Sequence, residues 1–78
     1  MIGLNNEEIM SEIEQLKKRI DEAGSEGVEN AHIRDDYAPA GDMMLRNLTD
    51  SGEYVQRITP MHGFDQKWRI FKKGYEPY

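Results

Sequence analysis

Two small groups of residues in this 78-residue chain have side chains that could bind a metal or transfer a proton. His32 precedes Asp35 and Asp36, and His62 precedes Asp65. Neither spacing matches an established metal or acid–base site, and the chain has no cysteine to supply a thiolate ligand. Polar surroundings of this kind are typical of solvated loops. We therefore predict that the chain is not an enzyme and has no catalytic residue, metal site or cofactor.

A second group mixes bases with aromatic rings. Residues 66–75 contain four bases interleaved with Trp68, Phe71 and Tyr75. Such a segment can bind single-stranded nucleic acid through stacking and phosphate contacts. The same pattern is also typical of an edge strand whose charged side chains prevent aggregation. We favour the strand, and we treat the three aromatic residues as a partner-binding surface for protein.

The charge distribution argues against nucleic acid as a partner. Residues 1–36 contain ten acids and four bases, whereas residues 37–78 contain five acids and six bases, and the net charge is -5. An acidic half of this kind repels phosphate groups. The chain also has no apolar run long enough to cross a bilayer and no signal-peptide pattern at its start. We therefore expect synthesis in the cytosol and no membrane partner.

The best-specified element is an amphipathic helix over residues 5–24. Its apolar residues recur at alternating steps of four and three, which is the spacing of a coiled coil or of a helix packed on a core. Asn5 fits the N-cap with Leu4 as part of a hydrophobic staple, and Gly24 fits the residue after the last turn. The members of this apolar stripe are Ile9, Ile13, Leu16, Ile20 and Ala23.

Two interpretations of the stripe remain open. Its narrowness favours self-association, because a helix packed on a globular core usually has a wider apolar face. Isoleucine at most of the repeating positions favours three chains over two. The other interpretation packs the same stripe on the chain's own sheet. Since no disulfide is available to support so small a chain, we predict a homo-oligomer, with a trimer favoured, that joins a larger protein assembly.

The remaining residues predict a linker and a small sheet. Residues 25–42 are polar and contain Gly and Pro, which indicates an extended linker that wraps a neighbouring surface. Residues 43–49, 53–59 and 67–73 resemble strands, and Asp50-Ser51-Gly52 suits a three-residue hairpin loop with glycine in the left-handed conformation. The expected fold is α+β, with an oligomerising helix over 1–24, a linker over 25–42 and a three-stranded antiparallel β meander over 43–78.

This layout resembles that of compact trimeric fibre or attachment modules on virus particles, in architecture alone. The resemblance implies a non-enzymatic assembly protein, such as a short fibre or decoration protein associated with the virion. The alternative hypothesis is a small acidic monomer that inhibits a host protein through its acidic helix, in the manner of anti-defence proteins.

Overall fold

The computed structural model of the chain describes residues 6–60 and 67–78. These residues form three helices and three strands, and a 3-10 turn at Gly24–Glu26 connects the first helix to the first strand. The helices are α1 (Asn6–Ala23), α2 (Asn30–Asp36) and α3 (Gly41–Asp50). The strands are β1 (Val28–Glu29), β2 (Tyr54–Ile58) and β3 (Trp68–Lys72).

The strands form one antiparallel sheet in the order β1-β3-β2. Val28 of β1 lies opposite Ile70 of β3, and β2 pairs with β3 over five residues from Tyr54↔Lys72 to Ile58↔Trp68. The α+β class and the three-stranded antiparallel sheet are confirmed, and β2 and β3 lie within one residue of the strands predicted at 53–59 and 67–73. The edge position predicted for the strand within residues 66–75 is wrong, because β3 lies between β1 and β2.

The strand predicted at 43–49 is wrong, because those residues belong to α3. Met44, Leu45 and Leu48 are buried on one side of this helix, at the spacing of neighbouring residues on a helical face. Methionine, leucine and arginine are good helix formers, and only Thr49 in this segment is β-branched. The sheet is therefore not a meander with this segment as its first strand.

The extended linker predicted at 25–42 is also wrong. It contains β1, which is the third strand of the sheet, and α2, which begins directly after β1. Ile33 on α2 is fully buried, and the Asn30 side chain donates a hydrogen bond to Gln56 Oε1 at 2.6 Å. This segment is therefore attached to the sheet of its own chain.

The predicted N-terminal helix is confirmed as α1, and Gly24 follows it with a φ of +57°. The proposed cap at Leu4 and Asn5 lies outside the described residues. Along α1 the apolar stripe faces the sheet, with Leu16 and Ile20 completely buried and Ile9 and Ala23 partly buried against the core. The second interpretation of the stripe, packing on the chain's own sheet, describes this structure.

A single core joins the segments predicted as an oligomerising helix, a linker and a small β tip. It lies between the helices and one face of the sheet, and each fully buried aliphatic side chain in it contributes roughly 1.5–3 kcal/mol. Its buried members are Ile13, Leu16, Ile20, Val28, Ile33, Met44, Leu45, Leu48, Tyr54 and Ile70.

The opposite face of the sheet carries Phe71, since successive residues of a strand point to opposite sides. The ring of Phe71 is fully buried. It lies against the backbone of Gly27 and makes an edge-to-face contact with Tyr78, with ring centroids 5.7 Å apart. The C-terminal residues therefore fold back over the outer face of the sheet.

Tyr54 links the sheet to α1 and makes the stability of the fold depend on pH. Its hydroxyl donates to Asp21 Oδ1 at 3.2 Å, and burial together with the Asp21 charge raises the pKa of Tyr54 from 10.0 to about 12. Because the folded pKa is the higher one, the neutral phenol stabilises the fold below pH 10, and this contribution disappears as the pH rises from about 10 to about 12.

We expect wild type to be more stable than Tyr54→Phe at pH 8, and the difference to shrink steadily above pH 10. The raised pKa of Tyr54 corresponds to a change of roughly 2–3 kcal/mol in the difference between the unfolding free energies of the two proteins. Urea unfolding of both proteins between pH 8 and pH 12 measures the difference, in which the titration of lysines common to both cancels. A difference that stays constant across this range would show that the Tyr54 hydroxyl is not coupled to folding.

Candidate interaction surface

The three aromatic residues predicted to bind a partner do not form one surface. Trp68 and Tyr75 are about half exposed, but Trp68 begins β3 whereas Tyr75 lies beyond its other end. Phe71 is fully buried beneath Gly27 and Tyr78 and is not available to a partner in this fold. The prediction for Phe71 is therefore wrong, because no pattern in the sequence indicates that the C-terminal residues cover it.

The residues predicted for oligomerisation lie together, but inside the chain. A coiled coil built from Ile13, Leu16 and Ile20 would have to remove these buried side chains from the core they share with the sheet. Removing them would expose the apolar surface whose burial stabilises the fold. The side of α1 that faces solvent instead carries acids, including Glu7, Glu14 and Asp21.

The outer edge of β2 has no neighbouring strand in the described sheet. Lys73 N–H donates to the Glu53 carbonyl, and Thr59 N–H donates to the Lys67 carbonyl, both at 2.9 Å. In an antiparallel pair the residues that bond to the neighbouring strand alternate with those that do not. Residues 53, 55, 57 and 59 therefore bond to β3, and the backbone groups of Tyr54, Gln56 and Ile58 point away from the sheet.

We call these outward backbone groups the free edge. Within residues 6–60 and 67–78, no backbone group donates to or accepts from them. One side-chain bond reaches the free edge, from Arg57 Nη1 to the Gln56 carbonyl at 3.0 Å. Arg57 is itself exposed, so this contact is open to replacement by another donor.

A groove of 280 Å³ runs beside the free edge, between β2 and α3. Gln56, Leu45, Thr49 and Arg46 line it, together with the exposed ion pair Arg34–Asp42, in which Arg34 Nε and Asp42 Oδ1 are 2.6 Å apart. A groove between a strand edge and a helix is where proteins bind extended peptides by adding a strand.

An exposed apolar pair extends the same surface at the end of β2. Ile58 lies directly opposite Trp68, and their side chains are 42% and 52% exposed. Both residues have the apolar character of core positions, but each lies at the end of its strand, where the face of the sheet is less covered. The free edge therefore ends beside apolar surface that water still contacts.

A charged cluster lies near the other edge of the sheet. The Glu29 carboxylate accepts contacts from His32 Nε2 at 3.0 Å, Lys67 Nζ at 3.4 Å and Arg69 Nη2 at 3.9 Å. Glu29 is the sole acid among them, so the cluster orders the bases around β1 without offering a set of metal ligands. Across the described residues no group of three or more metal-binding side chains is present, and His62 and Asp65 lie outside them.

The free edge was not predicted because of the error at 43–49. A strand at that position would have paired with β2 and covered its outer side. The burial of Met44, Leu45 and Leu48 at helical spacing turns the segment into a helix that packs on one face of the sheet and leaves the edge open. That spacing, with Met and Leu as good helix formers, was the available signal.

Comparison of the chain with protein-family models, curated proteins and solved structures gives no match. In the part of the chain that the structure describes, none of the helices has the length and apolar character needed to cross a membrane.

Proposed function

We propose that this protein is a non-enzymatic assembly module that joins another protein chain by pairing a strand along the free edge of β2. The single observation that carries this proposal is the unpaired row of backbone groups at Tyr54, Gln56 and Ile58. A row of this kind is a template for an incoming strand, which gains affinity from main-chain hydrogen bonds.

The composition of β2 supports the proposal. Natural proteins usually protect an edge strand with lysine, proline, a bulge or a covering element. The β2 sequence Tyr-Val-Gln-Arg-Ile has no lysine or proline, and its one charged side chain, Arg57, points to the face opposite the helices. A five-residue edge strand left in this state is suited to a partner strand.

We keep the oligomeric fibre or decoration role predicted from the sequence as a proposal, but with a different surface as the contact between chains. Because the apolar stripe of α1 lies in the core, we place association on the sheet and leave α1 inside each subunit. Small size supports the need for such association, since a chain of about this length supplies only roughly 3–5 kcal/mol from its own core.

The acidic inhibitor hypothesis gains one specific observation and is our second candidate. Glu7, Glu14 and Asp21 are exposed and lie seven residues apart along α1, on one side of the helix at intervals of roughly 10.5 Å. Within the chain, Asp21 also accepts the hydrogen bond from the Tyr54 hydroxyl, and Glu14 lies 3.6 Å from Lys17 Nζ. Binding through this row would weaken with rising salt, whereas binding through main-chain pairing on β2 would not depend strongly on salt.

A library of random seven-residue linear peptides displayed on phage tests the first proposal and requires no assumption about the partner's sequence. We expect the immobilised protein to select extended peptides whose binding is lost with Ile58→Pro. Proline at this position removes an outward N–H and leaves the bonds of residues 57 and 59 to β3 in place. The matched control Ile58→Ala keeps the N–H and should retain most of the binding.

Equal loss of binding in Ile58→Ala and Ile58→Pro would mean that the side chain, and not the backbone, holds the peptide. Selection of peptides that bind both variants as well as wild type would place the interaction elsewhere. Either result would remove the free edge as the functional surface, provided that both variants keep the circular dichroism spectrum of wild type.

A further inference from the structure

We infer that the occupant of the free edge is the free edge of a second copy of this chain, so that two sheets join into one continuous antiparallel sheet about a two-fold axis at Gln56. The inference rests on the proposed function and names the partner for the same surface. It follows from the order of residues along β2 and from which of them point outward.

The outward residues are symmetric about the centre of the strand. An antiparallel copy centred on Gln56 places Tyr54 opposite the partner's Ile58 and Gln56 opposite the partner's Gln56. Each of these residues directs its N–H and C=O outward, so every opposed pair is of the type that exchanges two backbone hydrogen bonds. The full length of β2 is then paired, and the partner's N–H replaces Arg57 as the donor to the Gln56 carbonyl.

The side chains agree with this register on both faces. On the helix-facing side, the exposed Ile58 lies opposite the partner's Tyr54, whose ring is buried in its own core, so no like charges and no exposed polar side chain face Ile58 there. On the outer side, Val55 lies opposite the partner's Arg57, so that the two arginines are not directly opposed. Arg57 already lies opposite Arg69 on β3, and this register does not place a second arginine directly opposite it.

Slipped registers are less favourable. Because hydrogen bonding must keep its alternation, the nearest alternatives differ by a shift of two residues. A shift in one direction sets Arg57 directly against the partner's Arg57. The opposite shift places Ile58 against the partner's Gly52, which has no side chain to cover it. The register centred on Gln56 is therefore the one that β2 itself specifies.

The groove between β2 and α3 leaves space for the added strand. Its volume is 280 Å³ and its lining includes Gln56, the residue that the partner's Gln56 would oppose. Leu45 contributes apolar surface to the groove and Thr49 contributes a hydroxyl. The Arg46 side chain, which also lines the groove, is exposed. No described strand pairs with this side of β2, so the partner strand would lie beside Gln56 and next to the groove.

A single engineered cysteine tests both the contact and its register, because the chain has no cysteine of its own. Opposed residues in a hydrogen-bonded pair have Cα atoms roughly 5.5 Å apart, within the roughly 4.4–6.8 Å that a disulfide spans. We expect Gln56→Cys, incubated with glutathione disulfide at micromolar concentration, to form a covalent dimer of about twice the 9.1 kDa of one chain.

Ile58→Cys is the matched control on the same edge. In the proposed register the two copies of residue 58 are four positions apart along the strand, or roughly 13 Å, which is beyond disulfide reach. We expect this variant to stay monomeric on a non-reducing gel. Equal cross-linking of both variants, or cross-linking of neither, would overturn the two-fold register.

Light scattering of the unmodified chain completes the test and separates this inference from the proposed function. We expect a dimer mass that falls to the monomer mass in Ile58→Pro. A wild-type monomer at all concentrations, with displayed peptides still bound in a manner that depends on the residue 58 N–H, would refute self-pairing and preserve the proposed function. A wild-type monomer that also fails to bind displayed peptides would refute both the self-pairing and the proposed function.

Discussion

Replacing Gly27 with alanine is expected to unfold most of the protein at 25 °C. Gly27 has φ +66° and ψ -171°, a conformation that is essentially restricted to glycine. A Cβ at this position would lie 2.6 Å from the Phe71 ring and 2.8 Å from the Ile70 carbonyl oxygen. Backbone strain of roughly 1–3 kcal/mol and overpacking of roughly 1–3 kcal/mol together approach the stability of a domain of this size.

Gly52→Ala is the control for this result. Gly52 also has a positive φ, +81°, but a Cβ there would meet no atom within 4 Å. We expect only the conformational penalty, roughly 1–2 kcal/mol, and a protein that still folds. Urea unfolding monitored by circular dichroism measures both variants, and equal destabilisation by the two substitutions would show that the contact of Gly27 with Phe71 has no energetic weight.

Leu16→Asp is expected to unfold the chain, because it places a carboxylate where the native side chain has no exposed surface. An unpaired charge in the core is among the few single changes that exceed about 4–5 kcal/mol. The neighbouring substitution Gln15→Asp adds the same charge on the solvent side of α1 and should leave folding unchanged. Circular dichroism and light scattering of both variants measure the difference.

This experiment separates the two interpretations of the apolar stripe. If the stripe served only to join helices of different chains, Leu16→Asp would produce a folded monomer. Packing of the stripe on the chain's own sheet predicts an unfolded chain. A Leu16→Asp protein with a native spectrum and monomer mass would contradict the core described here and restore the coiled coil.

The elements that were predicted well from the sequence are those with strong local patterns. The steps of three and four from Ile9 to Ala23 indicate α1, and its end at Gly24 follows from the need for a positive φ after the last turn. Alternation around Val55 and Ile70 gives β2 and β3 to within one residue. In these segments local preference and tertiary packing agree.

The failures arose where a short segment was compatible with two structures. Residues 43–49 are too few for their periodicity to be distinctive, and β1 is only two residues long and has no pattern of its own. The stripe of α1 was interpreted as a contact with other chains because part of the core that it shares, on β1, α2 and α3, comes from segments whose structure was predicted incorrectly. Each error followed from missing long-range contacts.

The interaction surface could not be predicted from the sequence for a different reason. The free edge is made of backbone groups, which every residue has, and only the pairing order β1-β3-β2 leaves those of Gln56 unpaired. The aromatic side chains are a poor guide to this surface, because Phe71 is buried. Trp68 does lie near the free edge, because it is opposite Ile58 in the sheet.

Amide hydrogen exchange along β2 tests the central claim most directly. In a dilute sample of monomer mass, we predict slow exchange at Val55 and Arg57, which bond to β3, and fast exchange at Tyr54, Gln56 and Ile58. At concentrations that give the dimer mass, the three fast amides should become protected. Slow exchange at Tyr54, Gln56 and Ile58 in the monomer, or fast exchange at these residues in the dimer, would contradict the claim that this edge is where the protein joins its partner.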